Sequence, residues 1–384
     1  MAASASTTRW GDARPQPSRG LPSASARVRR VALAASLIVL VPVLISYIGA
    51  LGQRSNAPLG IRTVEWLRDH GAADIVAEVE SVYYTLTAPG KGGPALRAIP
   101  RVGVSASSPT LTGEYPGRVH AILHPALPSE GVWHPTRASL ERRPPLLETT
   151  VRDQPEYPRV VAGVVWINTK RSSLALNPGR LEPSVKLPRG ETEVPRARRG
   201  ALLATFNSGF KLADSHGGFV LGGRTYAAMR NGQATLVGYT NGTVDVVDWR
   251  SGLIAPANVS FARQNLPLIV DNGHPTPNIS NTSEWGATVG NAVLVWRSAI
   301  GVDAHGNLLY AAGPDQSVRS IAELLAHAGA VRAMELDINS FWVSMITYGA
   351  PDAEQPHNLL SGMERPATRY LEPDDRDFFT VYSR

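Results

Sequence analysis

The 384-residue sequence predicts an α+β fold, a mixed or antiparallel sheet with a few helices, preceded by one N-terminal transmembrane helix. Three observations predict it. The chain contains 35 glycines and 30 prolines but only 18% charged residues, which suits a loop-rich domain better than a helical bundle. Strand patterns separated by turn residues recur in the second half of the chain, and one long apolar run lies near the N-terminus.

The apolar run Val31–Gly52 contains no charged residue and has the length of roughly 20 residues that a membrane-spanning helix needs. A signal peptide is the alternative, but its apolar core is usually only about 7–15 residues long. Arginines precede the run, and positively charged flanks favour the cytoplasmic side. We therefore expect residues 1–30 to be a disordered cytoplasmic tail and residues 31–52 to be a signal-anchor helix. The C-terminal domain of this single-pass protein of the cell membrane would then be extracytoplasmic.

The basic charge of the chain belongs to that tail. Residues 1–30 contain six arginines and one aspartate, a balance of +5 out of a total of +6, so the chain from Arg54 onward carries only +1. The main domain therefore lacks the basic surface that a nucleic-acid partner needs. The absence of cysteine excludes disulfides, thiol catalysis and thiolate metal sites.

The chain after the membrane helix divides into two parts. Residues 53–159 are rich in proline and glycine, with a short helical start in which the apolar spacing from Ile61 to Tyr84 is interrupted at Gly71. The rest of this segment should be irregular and should wrap the surface. Residues 160–384 should form the main domain.

The main domain is predicted to begin as a β-meander and to continue as strand, turn, strand, helix and strand. Asn241-Gly242 predicts a hairpin between two strands, and residues 305–307 predict another. Ser317 is placed to cap the N-terminus of the helix, and Gly329 stands where the helix should end. Residues 330–336 then form a buried strand.

That strand ends in a polar face. Side chains alternate along a strand, so Glu335, Asp337 and Asn339 share one side while Met334 and Leu336 point the other way. Two carboxylates and an amide are costly to bury without partners or a purpose. Glycoside hydrolysis needs an acid and a base or nucleophile beside the scissile bond, and the ~6.5 Å between residues i and i+2 does not distinguish a retaining enzyme from an inverting one.

Two further groups follow predicted strands. Asn207 and Gly209 lie where a small residue lets a ligand approach the main chain, although a plain strand-to-loop turn is the alternative. Asp271 and Asn272 suit sugar hydroxyls or a cation, and an Asx-type turn is the alternative for them.

Arg297 lies inside an otherwise apolar strand and must have a partner. Its planar guanidinium fits a phosphate, and pairing with Asp337 or Glu335 across the sheet is an equal alternative. The sequence contains no dinucleotide-binding motif, no P-loop, no nucleophile elbow and no His-Glu-x-x-His zinc motif.

Together these groups resemble the phosphodiester glycosidase family over roughly residues 160–348. The resemblance is strongest in the runs RSAIGVD and MELDINS, which are joined by the hairpin and the helix. The family typically shows Arg-Thr-Ala-Ile-Gly-x-Asp and Asn-Leu-Asp-Gly-Gly-Gly-Ser, which place Arg297 and Asp337 on matching positions. The run NSGF that begins at Asn207 is similar to the family's Asn-Gly-Gly-Phe step.

The resemblance implies hydrolysis of a sugar–phosphodiester linkage in an envelope glycan. Asp337 would act as nucleophile or base, Glu335 as acid, and Arg297 would hold the phosphate. The residues expected to bind the substrate are Asn207, Gly209, Asp271, Asn272 and Asn339.

Two departures from the family pattern favour a different function. Glu335 stands where asparagine is common, and Ile338-Asn339 replaces two glycines, which removes backbone freedom where a ligand would approach. The alternative is a non-catalytic glycan-binding or structural envelope protein with the same fold. A third hypothesis is a Ca²⁺ or Mg²⁺ ion held by oxygens of Asp271, Asp337 and Asn339; no other cofactor is expected.

Overall fold

The computed structural model describes residues 24–93, 96–103, 114–137, 140, 142–280, 285 and 294–384. The chain divides into two compact units, one ending at Arg54 and the other running from Ser55 to Arg384. Most of the predicted cytoplasmic tail lies outside the described residues, which begin at Ala24.

Helix α1 (Ala24–Gly52) makes up the described part of the first unit. Its stretch Val28–Gly52 is, among the described residues, the one helix with the length and composition of a membrane span, and a signal sequence would share both properties. Pro42 lies inside the helix, and the side chains around it are exposed.

A kinked helical hairpin opens the second unit. Helix α2 (Leu59–Leu67) runs into a π-helical turn (Arg68–Ala72) and then into helix α3 (Ala73–Thr87). Gly71 adopts a φ of 85°, a left-handed conformation that glycine reaches without strain, so the chain bends there. The interruption predicted at Gly71 is confirmed.

The largest sheet has eight strands and is antiparallel throughout its described pairs. In spatial order the strands are β1 (His134–Pro135), β2 (Leu146–Val151), β3 (Ala162–Ile167), β14 (Leu308–Gln316), β13 (Val295–Asp303), β15 (Ala330–Glu335), β11 (Leu268–Asp271) and β12 (His274–Pro275). Strand β2 belongs to the segment predicted to be irregular. All six of its residues are buried, which hides the alternating pattern that marks a strand in the sequence.

Two five-stranded antiparallel sheets complete the domain. One contains, in spatial order, β7 (Arg224–Ala227), β6 (Phe219–Leu221), β10 (Val259–Gln264), β8 (Ala234–Tyr239) and β9 (Val244–Asp248). The other contains β17 (Pro356–Asn358), β16 (Met345–Tyr348), β5 (Leu202–Asn207), β18 (Phe378–Ser383) and β4 (Ser172–Asn177). The short helices are α4 (Leu212–Ser215) and the 3₁₀ turns Arg196–Ala201, Pro277–Ser280 and Arg369–Leu371.

Helix α5 (Val318–His327) joins β14 to β15, as predicted. The Ser317 hydroxyl accepts a 3.0 Å hydrogen bond from the Ser320 amide, which caps the helix N-terminus, and Gly329 adopts a φ of 103° just after the C-terminus. The apolar face of α5 packs on the large sheet.

The main hydrophobic core lies among the three sheets. It includes Val165 and Ile300 from the large sheet, Phe206 and Phe379 from one small sheet, and Phe261 from the other. This shared core holds the ends of β5 and β15 next to strand β13, where the polar residues of the predicted site are found. The predicted α+β fold with an antiparallel sheet is therefore confirmed.

Candidate active site

Asn207, at the end of β5, connects two sheets through its side chain. Its Nδ2 group donates 2.9 Å hydrogen bonds to the Ser208 carbonyl and to the Ser298 hydroxyl of β13. Its Oδ1 atom accepts from the Tyr310 hydroxyl at 2.9 Å and from the Ser344 amide at 3.0 Å. Both donors and both acceptor positions of the amide are thus used within the protein.

The backbone of Asp337 is fixed by the same group of residues. The Ser298 hydroxyl and amide donate to the Asp337 carbonyl at 2.8 and 3.2 Å, and the Asp337 amide donates to the Ser208 carbonyl at 3.1 Å. Asp337 therefore lies where β5, β13 and β15 meet. The structure brings Asn207 and Asp337 together, as predicted.

The Asp337 carboxylate is buried, with 5% of the residue exposed, and has two partners. Its Oδ2 atom accepts a 2.8 Å hydrogen bond from Nη2 of Arg376, and its Oδ1 atom accepts a 3.0 Å bond from the Asn339 amide. Burial raises the pKa of Asp337, against the opposing effect of the Arg376 charge. Arg376 Nη2 also donates to the Gly209 carbonyl at 3.3 Å, so Gly209 belongs to the same site.

Glu335 and Arg297 form a fully buried ion pair, with 2.5 Å between Oε1 and Nη1. Arg297 also donates from Nε to the Gln316 carbonyl at 2.9 Å and from Nη1 to the Trp285 carbonyl at 3.3 Å. Of the two partners that the sequence left open for Arg297 within the protein, the structure selects Glu335. Glu335 Oε2 is buried and accepts no hydrogen bond from the described part of the chain.

Burial raises the pKa of Glu335 to about 7. The Arg297 charge opposes this rise, and the negative charge of Asp337 adds to it. A carboxyl group with this pKa holds a proton for part of the time at neutral pH, which is the property of a general acid.

Gly209 provides room for a neighbouring side chain. A Cβ atom at position 209 would lie 2.9 Å from Cγ of Asn265, closer than real contacts allow. Nδ2 of Asn265 donates to the Glu335 carbonyl at 2.8 Å, and its Oδ1 atom accepts from the Phe210 amide at 3.3 Å. The small residue thus lets Asn265 connect the strand ends that carry the two carboxylates.

Ile338 and Asn339 have no left-handed backbone strain, since neither residue has a positive φ. Ile338 packs in a small apolar cluster with Phe210 and Val295. The Asn339 side chain accepts a 3.0 Å hydrogen bond from the Phe341 amide and shapes the turn that follows. The loop after Asp337 is therefore packed.

Asp271 and Asn272 lie away from these residues. Both are exposed, and Gly273 beside them donates its amide to the Val331 carbonyl near the start of β15. Because β11 and β15 are antiparallel, Asp271 lies at the opposite end of β15 from Asp337, with about 13 Å of strand between Val331 and Glu335.

The placement of Asp271 bears on the predicted cation site. That site required oxygens of Asp271, Asp337 and Asn339, and the structure does not bring these three together. Among the described residues no three His, Asp or Glu side chains are close enough to hold a metal ion.

Arg376 and its surroundings belong to this site although the sequence did not predict them. Asp374, Asp375, Arg376 and Asp377 form a charged run that looks like a solvated loop, yet all four are buried. Burial of such a run requires partners, and it immediately precedes the apolar strand β18. A charged run directly before an apolar strand is the sequence signal that could have indicated that Arg376 is buried.

Arginine side chains surround Trp342, which follows the Asp337 turn. The guanidinium carbons of Arg369 and Arg376 each lie 5.2 Å from the Trp342 ring centroid, and that of Arg365 lies 5.6 Å from it. Asp374 accepts hydrogen bonds from Arg369 at 2.7 and 3.0 Å and lies 3.6 Å from Arg365.

The helical hairpin α2–α3 covers this region. Glu65 of α2 forms an ion pair with Lys211, which follows the Gly209 step. Ile61 of α2 packs against Phe341 and Trp342, and Tyr84 of α3 packs against the cluster of Phe210 and Ile338. The hairpin thus packs against the turn that follows Asp337 and against the Gly209 step.

Comparisons with known proteins agree with the family resemblance. The model of the phosphodiester glycosidase family matches residues 199–337, which include every predicted site residue except Asn339. No curated protein matches the chain.

The similar solved structures include three of low identity. The catalytic domain of zebrafish N-acetylglucosamine-1-phosphodiester alpha-N-acetylglucosaminidase, described as auto-inhibited by its pro-peptide, is 16% identical with a TM-score of 0.42, over 63% of this chain and 84% of that chain. A hypothetical protein from Synechocystis is 13% identical with a TM-score of 0.34, over 63% and 64% of the two chains. A putative exported protein from Burkholderia pseudomallei is 15% identical with a TM-score of 0.35, over 60% and 75%.

Proposed function

We propose that this chain, whose residues 199–337 match the phosphodiester glycosidase family, hydrolyses a sugar–phosphodiester linkage in an envelope glycan. The bond between the anomeric carbon and the phosphate oxygen would break, the hydroxyl of water would end on the sugar, and the leaving phosphate would keep the bonding electron pair. Glu335, as the acid, would give its proton to the leaving phosphate, and the proton released by water would restore Glu335. Free sugar and a phosphomonoester are the products.

The observation that carries this proposal is the Asp337 carboxylate. It is buried within the matched region, at the meeting point of three strands, and held by Arg376 and the Asn339 amide. A carboxylate in that position can attack the anomeric carbon or activate a water beside it, because Arg376 and the Asn339 amide fix its orientation. The role of nucleophile or base therefore falls to Asp337.

Glu335 is proposed as the acid. Its pKa of about 7 supplies a proton donor near neutral pH, and its Oε2 atom is not occupied by the described residues. Arg297 fixes Glu335 through the 2.5 Å contact and acts as a positioning residue rather than as the phosphate ligand. This assignment revises the expectation from the sequence.

The polar residues around Asp337 are proposed to orient it. Asn207 uses all its hydrogen bonds within the protein, so it holds Ser298 and the Asp337 backbone instead of a sugar hydroxyl. Gly209 admits Asn265 to the same junction. Asp271 and Asn272, at the far end of β15, are not part of the proposed site.

The proposed location is outside the cytoplasm, tethered by α1. Its apolar stretch Val28–Gly52 supports a membrane anchor, and the arginines before it favour a cytoplasmic N-terminus. The hairpin α2–α3 follows within six residues and covers the Asp337 region, so substrate would enter when the hairpin moves aside.

The deciding experiment compares Asp337→Asn with the parent in a panel of sugar 1-phosphodiesters, with released reducing sugar as the readout. The variant should lose turnover by several orders of magnitude while its thermal unfolding stays cooperative. Asp248→Asn, at an exposed ion pair with Arg250, is the matched control and should keep parental activity. Full activity of the Asp337 variant would rule out the assignment.

A second candidate function rests on the same burial. Both carboxylate oxygens of Asp337 have protein partners, as they would in a structural ion pair of a non-catalytic glycan-binding module. Glycan binding that persists after loss of both Asp337 and Glu335, with no product from any sugar phosphodiester, would decide for that function.

A further inference from the structure

Three buried donors around Trp342 lack an acceptor within the described part of the chain: Nε1 of Trp342, Nη1 of Arg365 and Nε of Arg376. The three residues are only 4%, 5% and 7% exposed, respectively. A buried donor without an acceptor is unfavourable, and three beside one ring are more than a folded protein usually keeps without use. All three are donors, so a group rich in acceptor oxygens would satisfy them.

The charge at Arg365 also favours an anion. Arg369 repels it, and Asp374 lies 3.6 Å from Arg365 but 2.7 Å from Arg369. Arg376 is already compensated by Asp337 and by the nearby Glu65, Glu182 and Asp377, so it contributes a hydrogen-bond donor rather than an unbalanced charge. Burial and the nearby Arg369 charge lower the pKa of Arg365 to about 10, so its positive charge is under-compensated.

The three donors belong to side chains that surround one ring. The guanidinium carbons of Arg365 and Arg376 both lie within 5.6 Å of the indole centroid. A tetrahedral oxyanion offers several oxygens that each accept a hydrogen bond of about 2.8 Å, so one such ligand can serve more than one donor. Arg376 already contacts Asp337 through Nη2, which leaves Nε for this second ligand.

We propose that Trp342, Arg365 and Arg376 form the subsite that holds the phosphate group of the substrate. The inference rests on the proposed function and names a different phosphate ligand from Arg297, whose guanidinium is engaged by Glu335, Gln316 and Trp285. Arg376 places the phosphate next to the attacking carboxylate, so the leaving group and Asp337 share one guanidinium.

The test measures thermal unfolding of the full chain in detergent while inorganic phosphate is titrated against chloride of equal ionic strength. Phosphate that binds the folded state should raise Tm with increasing concentration, and chloride should not. Trp342→Phe keeps an aromatic ring but removes the N–H group, so its phosphate affinity should fall about tenfold or more. Trp249→Phe is the matched control, because its indole donates to the Gly252 carbonyl at 2.8 Å in another cluster; it should keep the parental phosphate response.

The covering hairpin requires one more variant. Ile61 packs on Trp342, so Ile61→Ala opens the subsite, and its phosphate response is measured in the same way. No phosphate response beyond chloride in either the parent or Ile61→Ala would overturn the subsite, as would an unchanged response in Trp342→Phe.

Turnover separates this inference from the proposed function. A phosphate response that depends on Trp342, without hydrolysis of any sugar phosphodiester, would support the anion subsite and overturn the hydrolase. Hydrolysis with the parental KM in Trp342→Phe would support the hydrolase and overturn the subsite.

Discussion

Nη1 of Arg297 lies 2.5 Å from Oε1 of Glu335 in the interior, between strands β13 and β15. This contact explains how an arginine can lie inside an apolar strand, because a carboxylate on the neighbouring strand neutralises its charge. It also restricts Arg297 to a supporting role, because its guanidinium is turned to Glu335 and to two carbonyls.

Glu335→Gln should change how both activity and stability depend on pH. The pKa of Glu335 is raised from 4.5 to about 7 in the folded protein, so the folded state binds the proton more tightly than the unfolded state. Its contribution to stability is therefore full below pH 4.5 and is lost as pH rises to about 7, a change of about 3 kcal/mol. The variant should lack this slope in denaturant unfolding, and its turnover should fall by about 10²–10⁴ and lose the decline above pH 7.

Asp153→Asn is the matched control for that variant. Burial also raises the pKa of Asp153 to about 7. The control should therefore lose the part of the pH dependence of unfolding free energy that comes from Asp153. Its pH profile of turnover should remain parental. A Glu335→Gln enzyme with the parental pH–rate profile would remove Glu335 from the mechanism.

Asp374→Asn should reduce stability and change its dependence on acid. The two hydrogen bonds from Arg369 outweigh burial and lower the pKa of Asp374 from 3.8 to about 2. Stability from this group is present above about pH 4 and is lost as pH falls toward 2, amounting to about 2 kcal/mol.

The Asp374 variant should also lose about 3–5 kcal/mol at neutral pH, since Arg369 stays buried without its partner. Both variants are measured by urea unfolding at neutral pH, where Asp245→Asn, at the half-exposed pair with Arg332, should cost about 1 kcal/mol or less. Equal losses for the two variants would contradict the role given to the buried pair.

Loosening the hairpin should raise turnover. The double variant Ile61→Ala, Glu65→Gln removes the apolar contact with Trp342 and the ion pair with Lys211, so substrate should reach Asp337 more often. We expect kcat/KM for a sugar phosphodiester to rise several-fold. Glu78→Gln, at an exposed position of α3, should leave the rate unchanged, and a lower rate in the double variant would show that the hairpin contributes to the site.

Gly209→Ala should weaken the junction of the strands. The new Cβ would lie 2.9 Å from Asn265, which must then give up part of its contact with the Glu335 carbonyl. A loss of about 1–3 kcal/mol in unfolding, together with reduced turnover, is expected. Gly60→Ala is the control, because nothing lies within 4 Å of that position in α2, and it should be neutral or slightly stabilising.

The parts of the fold that local signals specify were predictable. The cap at Ser317, the left-handed Gly329 and the bend at Gly71 each follow from a residue whose preferred backbone conformation or side-chain chemistry fits one structure. The family resemblance placed Asn207 and Asp337 in one site, and in the structure Ser298 connects them.

The relative directions of distant strands were not predictable in this way. Asp271 follows a strand just as Asp337 does, but β11 runs opposite to β15, so the two residues lie at opposite ends of the ladder. Arg376 pairs with Asp337 although 39 positions separate them in the sequence, which is too far for a local pattern to predict. The charged neighbours of Arg376 look solvated in the sequence but are buried. The catalytic roles of Asp337 and Glu335 remain predictions.

Strand β18 lies between β4 and β5, although both precede it in the chain, and Arg376 stands just before it. As the chain is synthesised, β4 and β5 wait for residues 378–383 before their sheet can close, and until then Asp337 has no guanidinium beside it. Pairing between such distant segments is slow to form. A nascent chain therefore carries the Asp337 carboxylate before it carries the segment that brings Arg376 to it, and we expect this ion pair to form only when β18 joins its sheet.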